Sequence, residues 1–328
     1  MIRILYRDEN DKVLADLPVG ELAEALKKKT CLLWVDFDAE PMSNVEPVMG
    51  DIFGFHPLTI DDALRESHAP KAEDWQAYLY VVLRAVDYAN SALEQLQLPE
   101  LDIFLGPNFV VTYHKEPIAA IDQVWEICQK DPRWLNKGSG HLLYRLTDQL
   151  VSEAVIAVER MYDDLDLLED QIFAAAEPAT LELLFTLKRN ILQLRRVVAP
   201  SRDVLNRLSR NEYPVVEVAD RIFFRDVYDH FMQLDNLLND LLILVGSALD
   251  TYLSVVNNRM NDVMKTLTVI TALFMPLAFI TGFFGMNFFQ ATAPPQAWTG
   301  NMPFIIVLVV MAIIPLIMLW WMRRRSWI

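Results

Sequence analysis

The hydrophobic positions in the first part of the chain follow two short-range patterns. Runs rich in Val, Ile, Leu, Tyr and Phe predict β-strands, and these runs are IRILYR, CLLWVDF, AYLYVVLRAVDY and LDIFLGPNFVVTYH. Between them, VGELAEALKKK and HPLTIDDALRE carry apolar residues at helical spacing and predict helices. The sequence therefore predicts an α/β head domain over residues 1–135.

Long helices are predicted after this point. Apolar residues recur three or four positions apart through HLLYRLTDQLVSEAVIAVERMYDDLDLLEDQIF and again through PATLELLFTLKRNILQLRRVVAPSRDVLNRL. The two segments predict a helical hairpin over residues 136–216, within which Pro200 is expected to cause a kink or a turn.

The next helix is predicted to be much longer. Gly246 is the only glycine between residue 217 and Gly282, and Pro276 is the only proline in this part of the chain. We expect a stalk helix over residues 217–262 that continues directly into a membrane span. The alternative is two helices broken near Gly246, but one glycine costs a helix only about 1 kcal/mol and need not break it.

A long uncharged stretch follows. No Asp, Glu, Lys, Arg or His occurs among the 57 residues from Thr266 to Met322. At roughly 20 residues per span, this length fits two transmembrane helices with a short connection. The expected bounds are a first transmembrane helix at 263–286, an extracytoplasmic loop at 287–302, a second transmembrane helix at 303–322 and a basic tail at 323–328.

The charges at the two ends predict the orientation in the membrane. The N-terminal MIRILYRDENDK lacks the apolar core of a signal peptide, and Arg323, Arg324 and Arg325 directly follow the second span. Two cysteines in the whole chain are too few for a disulfide framework, which fits a reducing compartment. We therefore expect a multi-pass protein of the cell inner (plasma) membrane with a cytoplasmic N-terminus and a cytoplasmic C-terminus.

The first span has one side that is more polar than the rest. At steps of three and four residues, this stripe contains Asn257, Asn261, Met264, Thr268, Thr271, Met275, Ala278 and Gly282. The second span, PFIIVLVVMAIIPLIMLWWM, has no polar side chain apart from its tryptophans. Because two spans cannot enclose a water-filled path, a pore requires an oligomer of identical chains. The alternative is that small and hydroxyl residues only allow close helix packing.

The residue types near the spans favour a hard cation. No His or Cys occurs after His230, so the thiolate and imidazole ligands of softer metals are missing. Amide, hydroxyl and carbonyl oxygens suit Mg²⁺, which is often held through its bound waters. A ring of Asn287 amides would accept hydrogen bonds from such waters, and Met264, Leu267 and Met275 would form apolar collars that close a pore by dewetting.

The segment MNDVMKTLTVITALFMPLAFITGFFGMNF, with its second span and the tail RRRSWI, resembles the CorA family of magnesium channels. The family signature Gly-Met-Asn is present at Gly285, Met286 and Asn287. HPLTIDDALRESHAPKAEDW and FFRDVYDHF are similar to head and stalk segments of the family. The resemblance implies an α+β membrane protein that assembles as a homopentameric funnel, with an α/β cytosolic head, a stalk helix continuous with the first span and an outer ring of second spans.

The resemblance also implies roles for particular residues. Gly285, Met286 and Asn287 would form the selectivity filter. The pore lining and gate would comprise Asp250, Asn261, Met264, Leu267 and Met275, joined by Thr268 and Thr271 from the polar stripe. Regulatory Mg²⁺ would bind between subunits at Asp62 and Asp226, with Asp61 and Asp148 as secondary candidates. Mg²⁺ would thus be the transported and the regulatory ion, with Co²⁺ and Ni²⁺ as further cargo and no organic cofactor.

Two other functions stay open. The outer loop FFQATAPPQAWTGNM has no acid, whereas magnesium-type members of the family usually carry one or more there; Phe284 and Ala278 also differ from the common pattern. These departures leave a ZntB-like zinc transporter coupled to a proton gradient, or a membrane scaffold or sensor with little conduction. An enzyme is not expected, because the sequence has no Gly-rich phosphate loop, Ser-His-Asp arrangement or HExxH motif. The expected partners are other copies of the chain, lipid and divalent cations, with no nucleic acid.

Overall fold

The computed structural model describes residues 1–15, 17–65, 67–88, 96–210, 212–286 and 301–325. The chain divides into two compact units, Met1–Leu249 and Asp250–Ile328. The first unit contains a β-sheet with helices, and the second contains only helical segments among the residues that the structure describes.

A mixed sheet of seven strands lies in the first unit, in the order β2-β1-β3-β7-β6-β5-β4. Strands β3 and β7 run parallel, and all other neighbouring pairs are antiparallel. The strands are β1 (Ile2–Arg7), β2 (Val13–Ala15), β3 (Leu32–Asp38), β4 (Lys71–Asp74), β5 (Leu79–Arg84), β6 (Glu100–Leu105) and β7 (Phe109–His114). The central strands are buried almost throughout, which explains why their sequences are mostly apolar.

The described part of the chain contains eight α-helices. They are α1 (Leu22–Lys27), α2 (Met42–Pro47), α3 (Pro57–Arg65), α4 (Ala119–Lys130), α5 (Ser139–Ala174), α6 (Pro178–Ser209), α7 (Arg221–Gly285) and α8 (Asn301–Arg324). Helix α7 has 65 residues and continues through Gly246 and Pro276, so the prediction of one long stalk-and-span helix is confirmed and the broken-helix alternative is wrong.

Some local expectations differ from the structure. Helix α6 continues through Pro200, so no turn forms there; the Ser201 hydroxyl donates to the Val197 carbonyl at 2.9 Å within the same turn of helix. Helix α7 begins at Arg221 and not at residue 217, because the Asp220 carbonyl accepts the first helical hydrogen bonds, from the amides three and four residues later. Helix α8 is two residues longer at each end than the expected 303–322.

A buried charged network crosses the middle of the sheet. Asp36 on β3 is fully buried and accepts hydrogen bonds from Arg3, at 2.6 and 2.9 Å, and from Thr112, at 2.5 Å. The His114 ring on β7 is also buried, with Nε2 at 3.3 Å from Asp36 and Nδ1 at 2.7 Å from the Glu116 carbonyl oxygen. Because every member has a charged or polar partner, the network offsets much of the cost of burying these groups.

This network should make the stability of the first unit depend on pH. Burial lowers the pKa of His114, but the hydrogen bond and charge of Asp36 outweigh burial and leave that pKa raised above its usual value of 6.5. A raised histidine pKa stabilises the fold fully below 6.5 and loses its contribution as the pH rises through the folded-state pKa. We therefore expect the free energy of unfolding to fall above pH 6.5, by about 1.4 kcal/mol for each unit by which the pKa is raised.

Unfolding of the purified protein at a series of pH values from 5 to 9 measures this effect. The control is His114→Gln, which keeps a polar side chain but cannot titrate. The variant should be less stable than the wild type at pH 6, and the difference between the two should shrink toward pH 9. A difference that stays constant with pH would contradict the role of His114.

Candidate functional site

Helices α7 and α8 are the two described helices that are long and apolar enough to cross a membrane. The end of α7 carries the residues predicted to line a pore. Met264, Leu267 and Met275 expose 57%, 57% and 66% of their surface, and Asp250, Asn261, Thr268 and Thr271 are exposed as well. In the single chain, therefore, the whole predicted pore face of α7 remains available for contact with water, ions or other copies.

A different face of α7 is partly covered. The partly buried residues in the apolar part of this helix are Val269, Ala272, Leu273, Pro276, Leu277 and Ile280. At 3.6 residues per turn, the centre of this stripe lies about 140° around the helix from the predicted pore face. Helix α8 has a matching stripe of partly buried residues, at Pro303, Val307, Met311, Ile314, Pro315 and Met318, which ends at the buried Met322. Along these two stripes, the side chains of α7 and α8 are less exposed than elsewhere in the apolar part of each helix.

The hydroxyl groups of α7 differ in what they bind. Thr266, Thr268 and Thr281 each donate to a backbone carbonyl one turn earlier in the helix, at 2.8, 2.8 and 2.9 Å. This arrangement satisfies each hydroxyl group within its own helix. Thr271, on the predicted pore face, makes no hydrogen bond through its side chain within the described residues. Its hydroxyl group is therefore free to meet water or a hydrated ion.

The predicted selectivity filter lies only in part within the described residues. Gly285 is the last residue of α7, and Met286 follows it with 53% of its surface exposed. Asn287 lies outside the described residues, together with the outer loop up to residue 300.

The predicted regulatory acids form two separate groups in the first unit. Asp61 and Asp62 are neighbours on α3. Asp61 forms an ion pair with Arg65, one turn later on the same helix. Asp62 accepts a hydrogen bond from Lys71 Nζ on strand β4 at 2.7 Å, and the ring nitrogen Nε2 of His68 lies 3.7 Å from it.

The second group comprises Asp148 on α5 and Asp226 on α7. Burial raises the pKa of Tyr144 on α5, and the charges of Asp148 and Asp226 raise it further, against the lowering effect of Arg145. Asp148 forms an ion pair with Arg145 at 3.1 Å. Asp226 is exposed on α7 and has no ion pair or side-chain hydrogen bond among the described residues.

The described residues contain no cluster of three or more His, Cys, Asp or Glu side chains that could hold a metal ion within one chain. Each group instead contains two of the predicted acids. The basic partners of these acids were not among the residues predicted from the sequence. Arg65 and Arg145 lie four and three residues from their acids on a helix, a spacing that predicts such pairs, but Lys71 has no signal of this kind.

The sequence was also compared with known proteins. A family model described as a CorA-like Mg²⁺ transporter protein matches residues 30–324, nearly the whole chain. The chain belongs to the CorA family. Its two apolar helices are accordingly those of a metal-ion transporter of the membrane, and the expected resemblance is confirmed.

Among relatives in the CorA family, the cobalt/magnesium transport protein CorA of Thermotoga maritima is 33% identical over 296 residues, covering 90% of this chain and 83% of that protein. The zinc transport protein ZntB of Yersinia pseudotuberculosis is more distant, at 26% identity over 273 residues, or 83% of this chain and 81% of the relative. The solved structure of the CorA magnesium transporter from Methanocaldococcus jannaschii matches the fold with a TM-score of 0.84 and 22% identity, covering 100% of this chain and 99% of that one. The sheet-containing unit, the long helix α7 and the apolar helix α8 are therefore the CorA fold.

Proposed function

We propose that this chain is the subunit of a homopentameric channel for divalent cations in the cell inner membrane, which lets Mg²⁺ enter passively and also accepts Co²⁺ and Ni²⁺. In this assignment, residues 1–262 and the tail 323–328 lie in the cytosol, α7 lines the pore, and α8 forms the outer wall. Residues 285–287 form the selectivity filter at the outer mouth.

The observation that carries this proposal is the division of α7 into two faces. The face with Asn261, Thr268 and Thr271 is exposed in the single chain, while the partly covered face is wholly apolar. Within the span, a helix surrounded by lipid and its own partner gains nothing from a free hydroxyl such as that of Thr271 on its exposed side, because an unpaired polar group is costly in hydrocarbon. Several copies arranged with these faces inward enclose a polar path with Met264, Leu267 and Met275 as apolar constrictions.

Gating by cytosolic Mg²⁺ follows from the regulatory acids. We place Asp62 of one subunit near Asp226 of the next, with Asp61 and Asp148 as neighbouring carboxylates. Two carboxylates that face each other across an interface repel, and a divalent ion between them replaces repulsion with attraction. High internal Mg²⁺ then holds the closed ring together, and low Mg²⁺ releases it, because an ion that binds one state better shifts the population toward that state.

Uptake into liposomes tests the function. The purified protein is reconstituted with a Mg²⁺-sensitive dye inside, and an inside-negative potential is imposed with or without a pH gradient. We expect Mg²⁺ entry to follow the potential, since 100 mV supplies about 4.6 kcal/mol to a divalent ion, and to be indifferent to the pH gradient. Vesicles without protein are the control.

Zinc transport is the second candidate, favoured by the ZntB relative and by the outer loop without acids. Parallel vesicles with a Zn²⁺-sensitive dye separate the two functions. Zn²⁺ entry that requires a proton gradient, with no entry of Mg²⁺, would replace the proposed channel by a proton-coupled zinc transporter. If neither Mg²⁺ nor Zn²⁺ enters, the result would instead favour a scaffold or sensor with little conduction.

A further inference from the structure

Lys71 contacts the carboxylate of Asp62, which the proposed regulation requires as a ligand. Its Nζ atom lies 2.7 Å from Asp62 and 3.0 Å from Glu73. The ammonium group therefore contacts the Oδ2 atom of Asp62, and a divalent cation that binds through this oxygen would have to displace it. A cation that approaches Asp62 meets a carboxylate already neutralised by its own chain.

The structure holds Lys71 in this position from several sides. Its backbone is fixed in β4, opposite Val82 of β5, and its side chain is only 25% exposed. The ammonium group lies 5.3 Å from the centre of the Tyr80 ring, a distance at which a cation is attracted to an aromatic face. The Tyr80 hydroxyl is itself fixed by a hydrogen bond of 2.6 Å to the buried Asp102.

Lys71 carries a positive charge at neutral pH, because the ammonium group of a lysine loses its proton only near pH 10.

The other acids differ from Asp62 in their partners. Asp61 and Asp148 pair with arginines on their own helices, at spacings of four and three residues. Asp226 is exposed and has no ion pair within the described residues. Of the two primary candidates, Asp62 thus has a cationic partner in its own chain, whereas Asp226 has none within the described residues.

We propose that Lys71 is an internal competitor of Mg²⁺ at Asp62, which a divalent ion must displace in order to join Asp62 to the neighbouring subunit. Lys71 thereby sets the Mg²⁺ concentration to which the protein responds. The inference rests on the proposed function in one respect, the assignment of Asp62 as a regulatory ligand. By Coulomb's law in water, a unit charge about 5 Å from a divalent ion changes its affinity by about tenfold.

The test uses the purified full-length protein and measures resistance to a protease as Mg²⁺ is raised. The variants are Lys71→Met and Lys71→Gln, which both remove the charge, so the result does not depend on the folding of one of them. Lys71→Arg keeps the charge. Lys130→Met is the control for loss of one lysine charge away from the acids, because Lys130 forms an exposed ion pair of similar length with Glu126, at 2.9 Å, on α4. Asp62→Asn removes the carboxylate itself.

We expect Lys71→Met and Lys71→Gln to reach half-maximal protection at about one-tenth of the wild-type Mg²⁺ concentration. Lys71→Arg and Lys130→Met should retain the wild-type midpoint. A purely structural role for Lys71 would weaken the protein without lowering this midpoint. A midpoint that is unchanged or higher in both neutral variants would therefore overturn the inference.

Asp62→Asn distinguishes the two possible failures. If this variant loses the Mg²⁺ response while the Lys71 variants behave like the wild type, only the competitor role fails. If it retains the full wild-type response, Asp62 is not the regulatory ligand, and the regulation in the proposed function fails as well.

Discussion

Replacement of Asn287 by alanine is expected to reduce Mg²⁺ flux through reconstituted protein by about 10- to 150-fold. The amide oxygen would accept hydrogen bonds from the waters bound to Mg²⁺ as the ion enters the pore. A hydrogen bond to a charged partner contributes about 1.5–3 kcal/mol, and its loss at the point of entry appears directly in the rate. Because every subunit of the ring loses the same amide, a reduction of about tenfold is the minimum expected.

The matched control for this variant is Asn301→Ala. Asn301 is the first residue of α8, at the other end of the loop that begins with the filter, and the chemical change is identical. This control should keep wild-type flux in the liposome assay. Equal losses in the two variants would show that the effect comes from the fold of the outer loop, and equal retention would remove Asn287 from the filter.

The long elements of this fold could be predicted because each depends on a pattern within its own sequence. The uncharged stretch from Thr266 to Met322 predicted two spans, helical periodicity predicted α5 and α6, and the near absence of Gly and Pro predicted α7. Strands β2 and β4 were missed, since they are edge strands of three and four residues, and KAED in β4 has no apolar run. Helix α4 was missed although its apolar residues recur at helical spacing, so closer reading of AAIDQVWEICQK would have found it.

Contacts between distant residues could not be predicted in the same way. Asp36 and His114 meet because β3 and β7 are neighbouring parallel strands, and nothing in either strand sequence indicates the other as its partner. Lys71 reaches Asp62 from a strand that follows helix α3, and no helical or strand period relates the two positions. The acids of the candidate site could thus be proposed from the sequence, whereas the cation that balances one of them required the structure.

A second large effect is expected when a cysteine on the predicted pore face is modified. Treatment with a positively charged methanethiosulfonate reagent should reduce the Mg²⁺ flux of Thr271→Cys at least about tenfold. The thiolate attacks the sulfenyl sulfur of the reagent and displaces methanesulfinate. The resulting mixed disulfide leaves a permanent positive charge in the pore, where it repels a divalent cation strongly.

The native cysteines should give little background in this assay. Cys31 and Cys128 are 3% and 1% exposed in the first unit, so the reagent has poor access to both thiols. Burial also raises the pKa of Cys128 to about 12, which leaves almost no reactive thiolate at neutral pH. Wild-type flux should therefore be the same before and after treatment.

Leu273→Cys is the matched control for depth in the membrane. At 1.5 Å per residue, it lies only about 3 Å along the helix from Thr271, but about 160° around it, on the partly covered stripe. Its flux should be insensitive to the reagent, since a thiol on that face meets apolar side chains and not water. If Thr271→Cys is also insensitive, the polar stripe of α7 is a surface for close helix packing and does not line a pore. Sensitivity of Thr271→Cys alone would place the ion path on the face of α7 that the single chain leaves uncovered.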